Sequence, residues 1–127
     1  MMSAQENKEF VRRYIEALSG KPKPTELVDE YVAEQPLKDH IAAAEAGFPG
    51  YEMLVEQMIA EDDLVSVVAR ARGTHTGTFM GIPATGESFE VPLHITYRIE
   101  DAKIVDHWML MDNAGIMQQL GLVPSAS

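Results

Sequence analysis

The sequence predicts an α+β domain, with N-terminal helices packed on one face of a curved antiparallel β-sheet. Apolar residues in the first half recur every three or four positions, as on one side of a helix, whereas those in the second half alternate with polar residues, as along a half-buried strand. Helices followed by consecutive strands are typical of α+β domains. A chain of 127 residues is expected to form a single domain, residues 1–127.

Four helices are predicted before the first strand. Ser3 and Glu6 have the spacing of a capping box, which predicts that the first helix covers about residues 4–18. A second, short helix is predicted to begin with Thr25 as its cap. The third and fourth helices are predicted from apolar stripes at Leu37, His40, Ile41 and Ala44, and at Tyr51, Leu54, Val55, Met58 and Ile59.

Three strands are predicted to follow: residues 64–79, residues 88–99 and a strand that starts at Lys103 after a tight turn. A short amphipathic helix is predicted directly after the last strand. Strict alternation divides the last strand into an even face, with Ile104, Asp106, Trp108, Leu110 and Asp112, and an odd face, with Val105, His107, Met109 and Met111.

Asp112 lies where the last strand meets the final helix, and the residues allow two interpretations of it. If the even face is buried, Trp108 and Leu110 would desolvate the carboxyl group and raise its pKa towards the range useful for proton transfer. Asp is also one of the best N-cap residues, so Asp112 could simply cap the helix.

Composition excludes several classes of function. The net charge is −10, from 10 basic and 20 acidic residues, which argues against binding to nucleic acid or to an anionic membrane. There is no cysteine, no apolar run of membrane-spanning length and a polar N-terminus, so a cytoplasmic protein is expected. His75, His94 and His107 lack the spacing to carboxylates of common metal sites, and no metal is expected.

Three runs between Gly73 and Gly121 resemble a known family: GTHTGTFMGIPATGE, ITYRIEDAKIVDHW and MDNAGIMQQLG. They are similar to the SnoaL-like polyketide cyclases, or ester cyclases, of the nuclear transport factor 2-like superfamily. The similarity extends over about residues 5–122. The chain has Asp101-Ala102-Lys103 where such proteins usually have Asp-Gly-Lys, and its segment from Tyr31 to Pro49 is short. The short segment corresponds to the loop that covers the pocket in this family. It therefore affects the expected substrate more than the expected fold.

The resemblance implies a cone-shaped half-barrel whose concave face encloses an apolar pocket. It also implies an enzyme that closes a ring by intramolecular aldol reaction in a small polyketide-like or carbonyl-containing substrate, without metal or cofactor. Asp112 matches the family's acid/base aspartate, and His94 is the expected second catalytic group. Expected binding residues are Tyr14, His40, Thr96, Arg98 and Trp108.

Two further expectations concern the faces of the sheet. Alternation leaves open whether the face of His94, Thr96 and Arg98 meets solvent or the cavity, and the family's concave-face pattern favours the cavity. Tyr14, Trp108 and Leu110 are predicted to face the same cavity. The odd face of the last strand would then be the convex side, and its apolar residues predict a homodimer.

Three other functions remain open at this point. An isomerase or a hydratase could use the same pocket, since ketosteroid isomerase resembles this fold. A protein that binds a small molecule without chemistry, or a dimerisation domain, would also fit, because one fold hosts many functions.

Overall fold

The computed structural model describes residues 2–122, and in this part of the chain it contains four helices and one four-stranded antiparallel sheet. The predicted α+β class is confirmed. The strands are hydrogen-bonded in the order of the sequence, β1-β2-β3-β4. The elements are α1 (Ala4–Leu18), α2 (Thr25–Tyr31), α3 (Gln35–Gly47), β1 (Glu52–Glu61), β2 (Leu64–Thr74), β3 (Ser88–Glu100), β4 (Lys103–Met111) and α4 (Asn113–Gln119).

The capping box predicted for α1 is present. The Glu6 backbone N–H donates to Ser3 Oγ at 3.1 Å, and the Ser3 backbone N–H donates to Glu6 Oε1 at 3.0 Å. The buried side of α1 also carries one polar residue, Asn7, which donates to the backbone oxygen of Asp62 at 3.1 Å. This bond ties the start of the helix to the turn between β1 and β2. In α2, by contrast, Thr25 is the first helical residue and Pro24 is the cap position.

The segment predicted as a fourth N-terminal helix is strand β1, so that prediction is wrong. The pairing of β1 with β2 shifts between Val55 and Gln57, which marks a β-bulge. The bulge puts Met53 and Met58, five positions apart, against the same core. An odd separation breaks the period of two that identifies a strand, and the remaining apolar spacing resembles that of a helix.

A second bulge changes the faces of β4. Ile104 pairs with Ile99, but Asp106 pairs with Arg98, so Val105 is an extra residue on β4. Ile104 is therefore buried, whereas Trp108 and Leu110 lie on the outer face, 49% and 77% exposed. The prediction that Trp108 and Leu110 face the cavity with Tyr14 is wrong, and so is the assignment of the odd face to the convex side.

The interior of the curved sheet is covered by α1 and by the segment that follows α2. Val11 of α1 and Val65, Tyr97 and Ile104 of the sheet are almost fully buried in one cluster. A second cluster, around Phe48, Phe89, Leu93 and Ile116, occupies the other end of the sheet. Residues of both clusters line one cavity.

Strand β2 ends at Thr74, five residues before the predicted end, and residues 75–87 form a closed loop. The His75 backbone N–H donates to the Glu87 oxygen, and the Gly86 N–H donates to the His75 oxygen, both at 2.8 Å. The loop is also held against the end of α3, because the Gly77 N–H donates to the Gly47 oxygen at 3.1 Å.

The described residues 2–122 contain no helix that is both long and apolar enough to span a membrane.

The contact between this loop and α3 predicts that Gly77→Ala destabilises the fold. A Cβ atom on Gly77 would lie 2.0 Å from the backbone oxygen of Ala46, so the backbone must move to make room for it. We expect a loss of about 1–3 kcal/mol in the free energy of unfolding, the usual cost of overpacking, measured by urea denaturation. Thr78→Ala, at an exposed neighbouring position, is the control. Equal midpoints for Gly77→Ala and the wild type would contradict the close contact.

Candidate functional site

A cavity of about 520 Å³ lies between the concave face of the sheet, helices α1, α3 and α4, and the loop of residues 75–87. Its wall is mainly apolar and includes Met53, Met109, Met111 and Met117. This volume and this lining are typical of sites for small apolar molecules with a few polar groups. The polar or titratable side chains in the wall are those of Tyr14, His40, Tyr51, His75, Tyr97 and Asn113.

Two buried tyrosines form the deep side of the cavity. The rings of Tyr14 and Tyr97 meet edge to face, with their centroids 5.7 Å apart. Burial, followed by the neighbouring Tyr97 phenol, raises the pKa of Tyr14 well above its usual range. Burial also raises the pKa of Tyr97. Both phenols are protonated at neutral pH, and their hydroxyl groups are close enough to interact with each other, so the pair offers one O–H group to an oxygen in the cavity.

His40 is another titratable group in the wall of the cavity. It is half-buried on α3, and burial lowers its pKa from the usual 6.5. The charge of His107 lowers the pKa of His40 further. His40 is therefore a neutral imidazole at pH 7 and can accept a proton, as a general base must.

His107, whose charge acts on His40, forms a partly buried pair with Glu34. His107 Nδ1 contacts Glu34 Oε1, and both side chains are largely shielded from water. Glu34 belongs to a segment that runs along β4, where Val32 forms a parallel bridge with Ile104 and the Ala33 N–H donates to the Ile104 oxygen at 2.8 Å. This segment leads directly into α3, so its contacts with β4 set the position of His40.

His75 also lines the cavity and is held by Thr85. The ring nitrogen Nδ1 lies 3.1 Å from Thr85 Oγ1 and accepts from the Thr85 backbone N–H at 3.3 Å. The imidazole ring lies against Phe48, with centroids 5.1 Å apart. The second ring nitrogen, Nε2, is buried and has no hydrogen-bond partner among the described residues.

Four of the predicted site residues lie outside the cavity, on the outer face of the sheet. His94 is exposed there, and Thr96 shares a hydrogen bond of 2.7 Å with Ser66. Arg98 pairs with Asp63 at 3.4 Å, and its guanidinium group lies 5.2 Å from the centre of the Trp108 ring. The expectation that this face lines the cavity is therefore wrong, because the apolar residues of β3 face inward instead.

Asp112 is the N-cap of α4. Its Oδ1 accepts from the Gly115 backbone N–H at 2.8 Å, and the residue is exposed. Trp108 and Leu110 are exposed as well, so they supply no apolar enclosure for this carboxylate. The neighbouring Met111 and Asn113 line the cavity, which places Asp112 beside its wall. The cap interpretation is confirmed, and the catalytic interpretation stays a prediction.

Of the predicted binding residues, Tyr14 and His40 do line the cavity. The cavity wall also contains Tyr51, Tyr97 and Asn113, which are not among the site residues predicted from the sequence. Tyr97 could have been found, because it belongs to the alternating apolar side of β3 that faces inward. Tyr51 and Asn113 lie at the edges of elements, where periodicity gives no signal.

Within residues 2–122, no cluster of three or more His, Asp or Glu side chains could hold a metal ion.

Comparison with known proteins identifies the family. The family model described as SnoaL-like polyketide cyclase matches residues 8–120. No functionally curated protein matches the chain.

Solved structures show the same fold. A proposed SnoaL-like polyketide cyclase from Jannaschia sp. CCS1 superimposes with a TM-score of 0.82 and 23% identity, over 98% of this chain and 97% of that one. IdmH, a proposed polyketide cyclase from Streptomyces antibioticus, has a TM-score of 0.73 and 26% identity, over 91% and 99%. AclR, a proposed hydroxylase from Streptomyces galilaeus, has a TM-score of 0.82 and 22% identity, over 98% and 87%. Because the family model spans most of its length, this chain belongs to the SnoaL-like polyketide cyclase family.

Proposed function

We propose that the protein is a cofactor-free acid/base enzyme that closes a ring by intramolecular aldol reaction in a small polyketide-like substrate. The observation that carries this proposal is the presence of His40, a neutral imidazole, in the same apolar cavity as the protonated phenols of Tyr14 and Tyr97. A base and hydrogen-bond donors are the two groups that enolate chemistry requires.

The proposed reaction conserves all atoms of the substrate. His40 takes a proton from a carbon that lies between two carbonyl groups, and the electron pair of the C–H bond becomes an enolate. The enolate carbon attacks a second carbonyl carbon of the same molecule, which forms the new C–C bond and leaves an alkoxide. The His40 imidazolium returns its proton to the alkoxide. The free O–H group of the Tyr14–Tyr97 pair donates to the oxygen that carries the developing charge.

A site that binds without chemistry is the second candidate, because the wall is overwhelmingly apolar. A purely structural domain is less well supported. Its cavity would be filled by side chains, whereas about 520 Å³ remains open here despite the methionines and phenylalanines around it. Turnover of a carbonyl substrate distinguishes catalysis from binding.

His40→Gln is expected to lower the turnover of a poly-β-ketone ester by roughly 10²–10⁴-fold, the usual contribution of a general base. The amide has a similar size and polarity but cannot accept the proton at neutral pH. Turnover is measured by the release of the cyclised product, with melting curves recorded alongside. A folded variant with wild-type turnover would exclude His40 as the base.

The pH profile provides a second test of His40. The neutral imidazole is the active form and its pKa is lowered, so the rate should be constant around pH 7 and fall as the pH drops below 6.5. His107→Gln removes a charge that lowers the pKa of His40, so the acid limb should move to higher pH. An acid limb at the same pH in His107→Gln as in the wild type would contradict the coupling between the two histidines.

Asp112→Asn distinguishes the two interpretations of Asp112. Asn caps a helix about as well as Asp, so we expect unchanged melting, whereas Asp112→Ala should lose about 1 kcal/mol of stability with the bond to Gly115. If His40 is the base, Asp112→Asn should also retain its turnover. A loss of roughly 10²–10⁴-fold in a stable Asp112→Asn protein would instead assign the acid/base role to Asp112.

We also propose that the protein forms a homodimer through the outer face of the sheet. Ile59, Trp108 and Leu110 are exposed apolar residues on this face, and an isolated sheet surface in water would be expected to be polar. Leu110→Glu should convert a dimer into a monomer at micromolar concentration in analytical ultracentrifugation. Met80→Glu adds the same charge at an exposed site away from the sheet and serves as the control. A monomeric wild type would contradict the proposal.

A further inference from the structure

Ring closure by an aldol reaction needs one more hydrogen-bond donor than the Tyr14–Tyr97 pair supplies. The reaction places negative charge on two oxygens in turn, first on that of the enolate and then on that of the carbonyl group that is attacked. The Tyr14–Tyr97 pair offers one O–H group, and His40 has the role of the base. A second donor in the cavity wall would serve the second oxygen.

Tyr51 carries a hydroxyl group that is free to act as this second donor. The residue lines the cavity, and within residues 2–122 its hydroxyl group forms no hydrogen bond. Among the described residues, the unpaired side-chain polar atom that lacks accessible surface is Nε2 of His75, so the Tyr51 oxygen is accessible. Burial, followed by the charge of Glu45, raises the pKa of Tyr51, and the group therefore holds its proton at neutral pH.

The Tyr51 hydroxyl lies near the other two phenols of the cavity. After burial, the charge that Tyr51 would carry on ionisation is the next cause that raises the pKa of Tyr97, and it also acts on Tyr14. Such an effect requires proximity, because the charge of a phenolate sits on its oxygen and its field weakens with distance. One region of the cavity wall therefore contains the Tyr14–Tyr97 pair and, beside it, Tyr51.

Tyr51 is held by Lys23, whose side chain is 1% exposed. Lys23 Nζ lies over the face of the Tyr51 ring, 4.0 Å from its centre, and donates to the Tyr51 backbone oxygen at 3.2 Å. The same oxygen accepts from the Gly20 backbone N–H at 3.0 Å. Lys23 therefore restrains both the backbone and the ring plane of Tyr51.

Glu45 completes the cluster around Tyr51. Its carboxylate accepts from Lys23 Nζ at 2.9 Å and from the backbone N–H of Gly50, the residue before Tyr51, at 3.0 and 3.1 Å. Removing an ammonium group from water costs free energy, so a buried ion pair is weak evidence of a gain in stability. The Lys23–Glu45 pair does provide geometry, because its two ends bind the adjacent residues 50 and 51.

We propose that Tyr51 is a second hydrogen-bond donor to the substrate, and that Lys23 is the positioning residue that directs the Tyr51 hydroxyl group into the cavity. This inference rests on the proposed function, since it adds a donor to the same reaction. Tyr51 donates to the oxygen of the carbonyl group that the enolate attacks, while the Tyr14–Tyr97 pair donates to the enolate oxygen. Tyr51 keeps its proton throughout, and His40 supplies the proton that the alkoxide receives.

Tyr51→Phe removes the hydroxyl group and retains the ring beneath Lys23. We expect kcat for a poly-β-ketone ester to fall roughly 10²–10³-fold, the usual effect of one missing oxyanion donor, with little change in KM. The hydroxyl group has no partner among residues 2–122, so the variant should melt as the wild type does. A folded Tyr51→Phe protein with wild-type kcat would overturn the proposal.

A double-mutant cycle separates positioning from a purely structural role of Lys23. If Lys23 acts through Tyr51, Lys23→Met should lower kcat roughly 10–10²-fold in the wild type and cause no further loss in Tyr51→Phe. Lys21→Met is the control, because Lys21 is exposed and its Nζ donates to the backbone oxygen of Glu16 instead. Equal losses from Lys23→Met in both backgrounds would refute the positioning role.

Ring flips of Tyr51 test the restraint without any measurement of turnover. In the wild type, the two sides of the ring should give separate ¹H–¹³C signals, because the ammonium group packed on its face hinders rotation. In Lys23→Met the signals should merge into one averaged signal. A single averaged signal in the wild type would refute the role of Lys23, whether or not the variant folds.

This inference and the proposed function fail in different ways. Wild-type turnover in Tyr51→Phe, together with loss of turnover in His40→Gln, would remove the second donor and leave the base in place. A wild type that does not turn over the poly-β-ketone ester would overturn the proposed reaction and, with it, the part of Tyr51 in that reaction.

Discussion

Strand β4 carries one residue more than its partner β3, and the interior of the domain depends on this offset. The extra residue is Val105, between the pairs Ile99–Ile104 and Arg98–Asp106. A bulge of one residue reverses the faces of everything beyond it. Ile104 can therefore be buried in the core while Met109 and Met111, further along the same strand, line the cavity. With uninterrupted pairing, burial of Ile104 would put Trp108 and Leu110 in the cavity instead.

The apolar wall disfavours the charged form of two different kinds of group, phenols and an imidazole. Burial disfavours charge, so it raises the pKa of the Tyr14 and Tyr97 phenols and lowers that of the His40 imidazole. Both kinds of group are neutral at pH 7, where the phenols hold protons and the imidazole can take one, and burial widens the pH range over which this is so. One physical cause thus favours the proton arrangement that the proposed acid/base chemistry on a carbonyl compound needs.

The sequence was most informative where local signals agree with tertiary packing. The capping box of Ser3 and the uninterrupted alternation of β3 gave the first helix and the third strand nearly to the residue. It was misleading where a bulge interrupts the period, at Glu56 in β1 and at Val105 in β4. The bulge in β4 is the reason why Trp108 is wrongly predicted to belong to the site. His75 lies in the loop just after β2. Its orientation depends on the contact between Nδ1 and Thr85, and no periodic pattern in the sequence links these two residues.

The bulge at Val105 also affects how His40, the proposed base, is held. The segment of residues 32–34 contacts β4 at two points, through the bridge of Val32 to Ile104 and through Glu34 to His107. Ile104 and His107 are three positions apart, and in a regular strand such residues lie on opposite faces. The extra residue brings Ile104 and His107 to the same, inner side of the strand. The segment of residues 32–34 can therefore bind to the backbone of Ile104 and also contact the imidazole of His107. Helix α3 starts directly after this segment. The position of His40 in the cavity therefore depends on the bulge at Val105 in β4, a strand far from α3 in the sequence.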